Sequence, residues 1–318
     1  MSTELPMISV VVIGRNEGDR LIRCLESVKA TSYPTEKIEL IYVDSNSTDN
    51  SVSSAGDLGA RVLESKAEPS TAAAARNLGF REAQYEIVQF LDGDTVLDGD
   101  WLRKGVEAIA DASYACVFGS VMELEPQATI YNFWAHHDWH VTPGPAESCG
   151  GIAMFRRDVL GKAGGFDETL RAGEEPDLCH RITRDQGKSI LCLDEPMVAH
   201  DIGMTRFSQY WARCARTGHA YAEVGGRNKG MHRWRSARWR NVAHAAAGPI
   251  AVVLSLGLRS WWPVAVWVGL LMIAIVRNAL RLRGRVGSLR GALLYSFHHY
   301  LAKLPMAVGQ FKYWLGLQ

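Results

Sequence analysis

The chain has 318 residues, which exceeds what one average domain needs and allows a sizeable core. Its net charge of +1 hides an asymmetry: residues 1–223 carry 21 Lys and Arg and 34 Asp and Glu (−13), whereas residues 224–318 carry 14 Lys and Arg and no acid (+14). Six cysteines without a CxxC pair exclude a zinc-type pattern and favour a reducing, cytosolic location for the acidic part.

Five short apolar runs precede residue 125 and alternate with segments of helical periodicity. They read MISVVVIG, IELIYVDS, ARVLES, YEIVQFLD and ACVFGSVMEL. The first run is short and rich in β-branched residues, which favours a buried strand over a secretory signal. This alternation predicts an α/β fold with a doubly wound, mostly parallel sheet. Ligands of such sheets bind beyond the carboxyl ends of the strands.

Two carboxylates follow the fourth run directly, in VQFLDGDT. Side chains alternate along a strand, so Asp92 and Asp94 are predicted to point the same way. Carboxylates are preferred ligands of Mg²⁺ and Mn²⁺, which commonly bridge them to substrate phosphates. The alternative is an ordinary turn, in which Gly93 adopts a positive φ and both acids face solvent.

Polar residues also follow the other predicted strands. Asn16 and Glu17 follow the first run, and Asp44 ends the second, where it either caps the next helix or accepts the N3–H of a uracil. In TAAAARNLG, Arg76 lies in an Ala-rich helical segment. There it either reaches a phosphate, locks the strand that carries Asp92, or lies on the surface.

A cluster of carboxylates occurs in RAGEEPDLCHR, residues 171–181. Pro176 suits the first turn of a helix, and acids there complement the helix dipole. Three acids are more than this structural role needs, and crowded carboxylates raise one another's pKa towards the range of a general base. The predicted base is therefore sought among Glu174, Glu175 and Asp177.

Residues 126–223 are less regular and are predicted to complete the sheet and form an acceptor side. From residue 224 we predict a basic, apolar helical region for membrane association, with segments at about 242–258 and 261–276 and an interfacial helix at about 288–316. Basic flanks favour a hairpin with both ends in the cytoplasm. A core hairpin of a soluble protein and a nucleic-acid-binding tail are the alternatives.

Taken together, these fragments resemble the family 2 glycosyltransferases with the GT-A fold, in particular membrane-associated transferases of bacterial surface-polysaccharide assembly. The resemblance covers roughly residues 7–220 and rests on fragments that occur in the family's order and spacing. They are VVVIGRNEGDRLIRCLESV, VDSNSTDNS, AAARNLG, FLDGDT, CGGIAMFRRDVLGKAGGFDE and GEEPDLCHR. It implies a GT-A domain at 1–223, with a nucleotide-sugar half at about 1–125 and an acceptor half at about 126–223.

The resemblance also implies roles for individual residues. Glu175 occupies the place where the family's ED motif usually has the Asp that acts as base. Because Glu is one methylene longer, either the acceptor lies slightly further back or Glu174 or Asp177 shares that role. His200, in MVAHDIG, stands where some members supply a further metal ligand beside Asp92 and Asp94. The residues implied in binding the nucleotide-sugar are Gly14, Asn16, Glu17, Asp44, Arg76, Asp92 and Asp94.

The implied activity is an inverting transfer that depends on Mn²⁺ or Mg²⁺. The donor is a nucleotide-diphosphate sugar, with UDP favoured, and the acceptor is a hydroxyl of a lipid-linked saccharide at the cytoplasmic membrane face. The stretch QYWARC departs from the QxxRW motif of processive synthases, which favours transfer of a single sugar. No nucleic-acid partner is expected, and a homo-oligomer is left open.

Three alternatives remain at this stage. A polyprenyl-phosphate sugar transferase needs no base, because its acceptor is already an anion. A nucleotidyltransferase is disfavoured, because VVIGRNEGDR contains two acids and makes a poor phosphate cradle. A non-catalytic membrane scaffold would be expected to lose the DxD or the base carboxylates, and both are present.

Overall fold

The computed structural model describes residues 4–317, which form two compact units. The first unit runs to Pro126 and continues from Asp138 to Gly203. The second contains Gln127–His137 and the chain from Met204 onward. The second unit therefore begins before residue 224, where the charge of the chain changes. The reason is that the helix Phe207–Arg227 packs with the C-terminal helices.

A mixed, mainly parallel sheet organises the first unit. Its nine described strands are β1 Ile8–Gly14, β2 Ile38–Asp44, β3 Arg61–Glu64, β4 Ile87–Asp92, β5 Thr95–Leu97, β6 Tyr114–Glu123, β7 Gly144–Ala146, β8 Met154–Arg156 and β9 Ser189–His200. Their order is β3-β2-β1-β4-β8-β6-β9-β5, with β7 beside β9. The pairs β1/β2, β2/β3, β1/β4 and β6/β9 are parallel, so the predicted α/β class is confirmed. The antiparallel β8 lies between β4 and β6.

The helices of the first unit connect these strands. They are α1 Asp19–Lys29, α2 Ser51–Asp57, α3 Ala72–Glu82, α4 Trp101–Ile109, α6 Arg157–Lys162 and α7 Glu174–Gln186. The fifth helix in chain order, α5 Ile130–Asp138, belongs almost entirely to the second unit. Strand β1 is fully buried from Ile8 to Val12, as expected for a β-branched run covered on both faces. The hydroxyl of Thr71 accepts a hydrogen bond from the N–H of Ala74 and so begins α3.

The strand register brings the polar strand ends together. In the parallel pairs, Gly14 lies opposite Asp44, and Ile13 lies opposite Asp92. The carboxyl ends of β1, β2 and β4 therefore form one edge, and the residues that follow them share it. This is the edge at which α/β sheets bind ligands.

Close packing of α3 on the sheet depends on Gly79. A Cβ at this position would lie 2.3 Å from Cγ1 of Val11 and 3.1 Å from Cγ2 of Val43. We expect Gly79→Ala to lower the free energy of unfolding by about 1–3 kcal/mol, because β1 and β2 must move to accept the methyl group. Urea denaturation measures this difference.

The matched control is Gly56→Ala in α2, where an added Cβ would meet nothing within 4 Å. This substitution is expected to leave stability unchanged or raise it by about 0.4–1 kcal/mol. Equal stability of the two variants would show that α3 does not pack as closely as described.

The second unit is helical. Besides α5 it contains α8 Phe207–Arg227, α9 His232–Gly257, α10 Trp262–Val286 and α11 Leu289–Trp314. Helix α8 packs on α11, where the hydroxyl of Tyr210 donates to the carbonyl of His298 over 3.0 Å. The predicted apolar segment at 242–258 forms the later part of α9, whose first turns hold the basic stretch. The segment at 261–276 forms most of α10.

Candidate functional site

The DGD turn between β4 and β5 presents its two carboxylates at the sheet edge. The hydroxyl of Thr95 donates to the carbonyl of Asp92 over 2.7 Å, which holds the turn. Gly93 does not adopt a positive φ, so the ordinary-turn alternative is not what the backbone shows. A Cβ at Gly93 would lie 3.1 Å from Cγ of Glu17, and this close approach is why glycine is needed there.

Asp92 and Asp94 meet His200, which ends β9. One ligand atom from each of the three side chains lies within 4.8 Å of the others, and Nε2 of His200 is 3.5 Å from Oδ1 of Asp94. Burial, followed by the charge of Asp92, raises the pKa of Asp94 to about 7. Two carboxylates and an imidazole suit Mn²⁺ or Mg²⁺, and a bound cation relieves this repulsion. These residues therefore fit the predicted metal.

Arg76 joins the turn to α7. Arg76 is 4% exposed, and its guanidinium donates from Nη2 to Oδ1 of Asp92 and from Nη1 to Oε1 of Glu174, both over 2.8 Å. Gly151 lies against it, with φ +84°, and a Cβ there would be 2.9 Å from Nη2. Three positions were predicted for Arg76: at a phosphate, against the strand that carries Asp92, or on the surface. The contact with Asp92 corresponds to the second of them.

The residues after β1 and β2 hold each other in place. Asp44 is 2% exposed; its Oδ1 accepts from the hydroxyl of Tyr42 over 2.9 Å and its Oδ2 from the N–H of Ser47 over 2.8 Å. Asn16 has φ +55°, and its Oδ1 accepts from the N–H of Thr48 over 2.7 Å. Both strand-end loops are therefore fixed by side-chain acceptors.

Gly14 and Glu17 complete this edge. A Cβ at Gly14 would lie 3.0 Å from Cγ of Glu17 and 3.3 Å from the ring of Tyr42, so the strand end has no room for a side chain. Burial, followed by the charge of Asp94, raises the pKa of Glu17 to about 7. Glu17 thus belongs to the same electrostatic cluster as the DGD turn.

The three acids of α7 have different partners, and the neighbours Glu174 and Glu175 point in different directions because successive residues of a helix are rotated by about 100°. Glu174 faces Arg76, and Asp177 pairs with Nε of Arg181 over 2.8 Å. Glu175 is 6% exposed; its Oε1 accepts from the N–H of Cys149 and lies 3.1 Å from Sγ of Cys179.

Burial raises the pKa of Glu175 well above its usual range. Each of the three predicted base candidates therefore has a partner within the first unit. Of the three, Glu174 is the one joined to the DGD turn, through Arg76. The sequence did not reveal this distribution, because it depends on which face of α7 meets the loop before β8.

Two residues near the turn were missed from the sequence. The indole of Trp139 lies 4.6 Å from the ring of His200, centroid to centroid. Asp201 accepts from Arg23 over 2.8 Å, and its backbone carbonyl accepts from Arg20 over 3.4 Å. The signals were the aromatic stretch IYNFWAHHDWH and the acid of AHD, which directly follows the predicted metal ligand His200.

Comparison of the sequence with known proteins finds glycosyltransferases. Residues 9–164 match the family model described as Glycosyl transferase family 2. Glycosyltransferase AglE of Haloferax volcanii is 29% identical over 213 residues, which cover 64% of this chain and 67% of that protein. Glycosyltransferase GlyG of Streptococcus pneumoniae is 30% identical over 133 residues, covering 40% of this chain and 43% of that protein.

Solved structures show the same fold at low identity. The mannosyltransferase PcManGT from Pyrobaculum calidifontis, solved in complex with GDP-Man and Mn²⁺, superposes with a TM-score of 0.67 and 18% identity, over 99% of this chain and 89% of that one. Residues 1–349 of Staphylococcus aureus TarS superpose with a TM-score of 0.52 and 14% identity, over 98% and 92%. The fold is GT-A-like, and residues 9–164 form a domain that matches the family 2 glycosyltransferases.

Proposed function

We propose that the chain is an inverting glycosyltransferase that depends on a divalent cation and uses a nucleotide-diphosphate sugar. The observation that carries this proposal is the convergence of Asp92, Asp94 and His200 at the carboxyl edge of the sheet, beside the buried Arg76. This edge combines a cation site with the positive charge of Arg76, which holds Asp92 in place, and both favour binding of an anionic diphosphate. The complex of PcManGT with GDP-Man and Mn²⁺ supports the same chemistry.

The nucleoside is proposed to bind beside the ends of β1 and β2, against Gly14, Asn16, Glu17 and Asp44. Each oxygen of Asp44 already accepts one hydrogen bond and keeps one lone pair. Such an acceptor suits the N–H edge of uracil or guanine and does not suit the unprotonated ring nitrogens of adenine or cytosine. UDP is the nucleotide favoured by the sequence, and GDP is the one found with PcManGT.

Asp92, Asp94 and His200 would hold a divalent cation, which would neutralise the charge that builds up on the departing nucleoside diphosphate. Arg76 holds Asp92 in place and adds positive charge beside the same turn. No carboxylate of this edge is proposed as a nucleophile, so the acceptor displaces the diphosphate directly. A single displacement inverts the anomeric centre.

If the acceptor is a hydroxyl, Glu175 remains the proposed base, and Glu174 or Asp177 shares that role. Glu175 then has to exchange its hydrogen bond with the N–H of Cys149 for the acceptor hydroxyl. Its raised pKa favours proton uptake once that contact opens. An anionic phosphate acceptor needs none of these steps.

The acceptor is proposed to be carried by a membrane that the second unit contacts. Helix α10 is the described helix that is long and apolar enough to cross a membrane, with a mean hydropathy of 1.9 and 17% of the apolar window buried. Large apolar side chains of α9, of α10 and of the link between them are exposed to the medium: Ile250, Val253, Leu256, Leu258, Trp261, Leu270 and Ile273. Exposed apolar surface of this extent favours contact with a membrane, and the basic residues that flank the apolar segments favour its cytoplasmic face.

Membrane contact predicts the effect of two substitutions. Leu256 and Ile273 are 74% and 65% exposed. Changing both to Asp is expected to weaken co-flotation with phosphatidylcholine vesicles by about tenfold per substitution, because each removes about 1.5 kcal/mol or more of apolar burial. Met7→Asp, at an exposed residue of the first unit, is the control. Flotation of the double variant like that of the control would contradict membrane contact through α9 and α10.

A thermal-shift titration of the detergent-solubilised full chain tests the donor site. UDP, GDP, TDP and CMP are compared with and without Mn²⁺, since a ligand that binds only the folded state raises its stability. We expect UDP or GDP to raise the melting temperature only with Mn²⁺. An absence of any shift would favour the non-catalytic scaffold.

A further inference from the structure

Two thiols and a carboxylate meet in the interior of the first unit, and we call them the thiol site. Glu175 and Cys179 are four residues apart and therefore share one face of α7. That face meets Cys149, in the loop between β7 and β8. One ligand atom of each side chain lies within 4.8 Å of the other two, and all three residues are buried. The spacing of the cysteines does not predict this site, because its members come from separate segments of the chain.

The distances within the thiol site are close to those of a tetrahedral zinc site. With Zn–S bonds of about 2.3 Å, two sulfur ligands of a tetrahedron lie about 3.8 Å apart. Sγ of Cys149 and Sγ of Cys179 are 3.7 Å apart. The same geometry places a carboxylate oxygen about 3.5 Å from each sulfur. Oε1 of Glu175 lies 3.1 Å from Sγ of Cys179, so a cation needs only small displacements to bind all three.

A third cysteine lies beside the thiol site. Cys116, in β6, is hydrogen-bonded to Cys149 and offers a fourth ligand. Burial opposes ionisation of Cys149, but hydrogen bonds from Cys116 and from the N–H of Gly151 help to hold its pKa well below its usual range. The thiolate is the form that binds a metal. Sulfur ligands favour Zn²⁺ over Mg²⁺ and Mn²⁺, which prefer oxygen ligands.

The carboxylate of the thiol site is buried among donors that carry no positive charge. Within the described chain, Oε1 of Glu175 accepts from the N–H of Cys149 and from the thiol of Cys179. A buried carboxylate in such surroundings binds either a proton or a cation. A divalent cation compensates the carboxylate and a thiolate together, whereas one proton compensates only one of them.

The surface is one residue away from the thiol site. Cys149 is 2% exposed, but Gly150, which follows it with a φ of +79°, is exposed. A local shift of this loop therefore opens a path for a cation. A disulfide is the alternative for two close sulfurs. It requires an approach to about 2.05 Å and leaves the carboxylate without a cation.

We propose that the thiol site is a second metal site, separate from that of the DGD turn, and that it binds Zn²⁺ or a similar thiophilic divalent cation. Cys149, Cys179 and Glu175 are its ligands, and Cys116 is the fourth. This binding does not depend on the proposed function. Coordination would keep Glu175 from acting as a base, and this consequence rests on the proposed function.

A titration of the detergent-solubilised full chain with Co²⁺ under reducing conditions tests the site, because cobalt bound to thiolate gives a charge-transfer absorption in the near ultraviolet. We expect one thiolate-bound Co²⁺ per chain, displaced by an equivalent of Zn²⁺. The cluster at the DGD turn contains no thiolate, so Asp94→Asn is expected to keep the absorption.

Two variants each remove one anionic ligand: Cys179→Ser and Glu175→Gln. Each is expected to weaken Co²⁺ binding by about tenfold or more. Cys192→Ser, at a buried cysteine of β9 outside the site, is the matched control and should bind like the wild type. Circular dichroism shows whether each variant is folded.

A folded wild type without the charge-transfer absorption would overturn the proposal. Equal affinities of Cys179→Ser, Glu175→Gln and Cys192→Ser would overturn it as well. The Mn²⁺-dependent nucleotide thermal shift is measured on the same samples. A normal shift without the cobalt absorption would remove this inference and leave the proposed function in place.

Discussion

Replacing Asp94 by asparagine is expected to lower sugar transfer about 10³-fold while the protein stays folded. Asp94 forms one cluster with Asp92 and His200, and it loses one anionic ligand oxygen in this variant. A bound metal is worth several kcal/mol to a transition state that gains negative charge, and about 4 kcal/mol corresponds to that factor. Initial rates at saturating Mn²⁺ measure the effect.

The variant is not expected to be less stable, because burial and Asp92 already disfavour the charge of Asp94 in the metal-free protein. Asp57→Asn, at an exposed residue of α2, is the matched control and should keep its rate. A folded Asp94→Asn protein with the rate of this control would contradict the assigned metal site.

Replacing Arg76 by methionine is expected to lower the free energy of unfolding by about 3 kcal/mol and to abolish transfer. The side chain of Arg76 is 5% exposed and bridges Asp92 and Glu174, whose side chains are 29% and 15% exposed. Removing the cation leaves two carboxylates near each other with reduced access to water, and breaking a buried pair in this way typically costs about 3–5 kcal/mol. Urea denaturation measures the loss.

Arg81→Met provides the comparison, because Arg81 pairs with Glu168 at the surface over 3.4 Å with a 57% exposed side chain. Surface ion pairs contribute about 0–1 kcal/mol, so this variant should remain near the stability of the wild type. If Arg76→Met were no less stable than Arg81→Met, the bridge between the turn and α7 would not hold the site together.

Much of the first unit was predictable because its signals are local. Five β-branched runs predicted β1, β2, β3, β4 and β6, and the polar residues at their ends predicted one ligand-binding edge. Strand alternation predicted that Asp92 and Asp94 point the same way. The proximity of His200 came from the family resemblance, since no local pattern joins residues so far apart in the chain.

The rest depends on contacts between distant segments. Whether Glu174 or Glu175 faces Arg76 depends on how α7 is rotated against the loop that carries Cys149. The second unit takes in α8 although α8 carries Glu223, because its packing on α11 is decided by apolar surface and close backbone approach rather than by charge. The antiparallel insertion of β8 between β4 and β6 likewise follows from long-range pairing.

The most direct test of the account is a titration of the full chain with Mn²⁺ in the presence of UDP or GDP, with free Mn²⁺ followed by electron paramagnetic resonance. The account predicts one site per chain, lost in Asp94→Asn and kept in Asp57→Asn. Binding of Mn²⁺ by Asp94→Asn with the same stoichiometry and affinity as the wild type would contradict the claim that Asp92, Asp94 and His200 form the metal site.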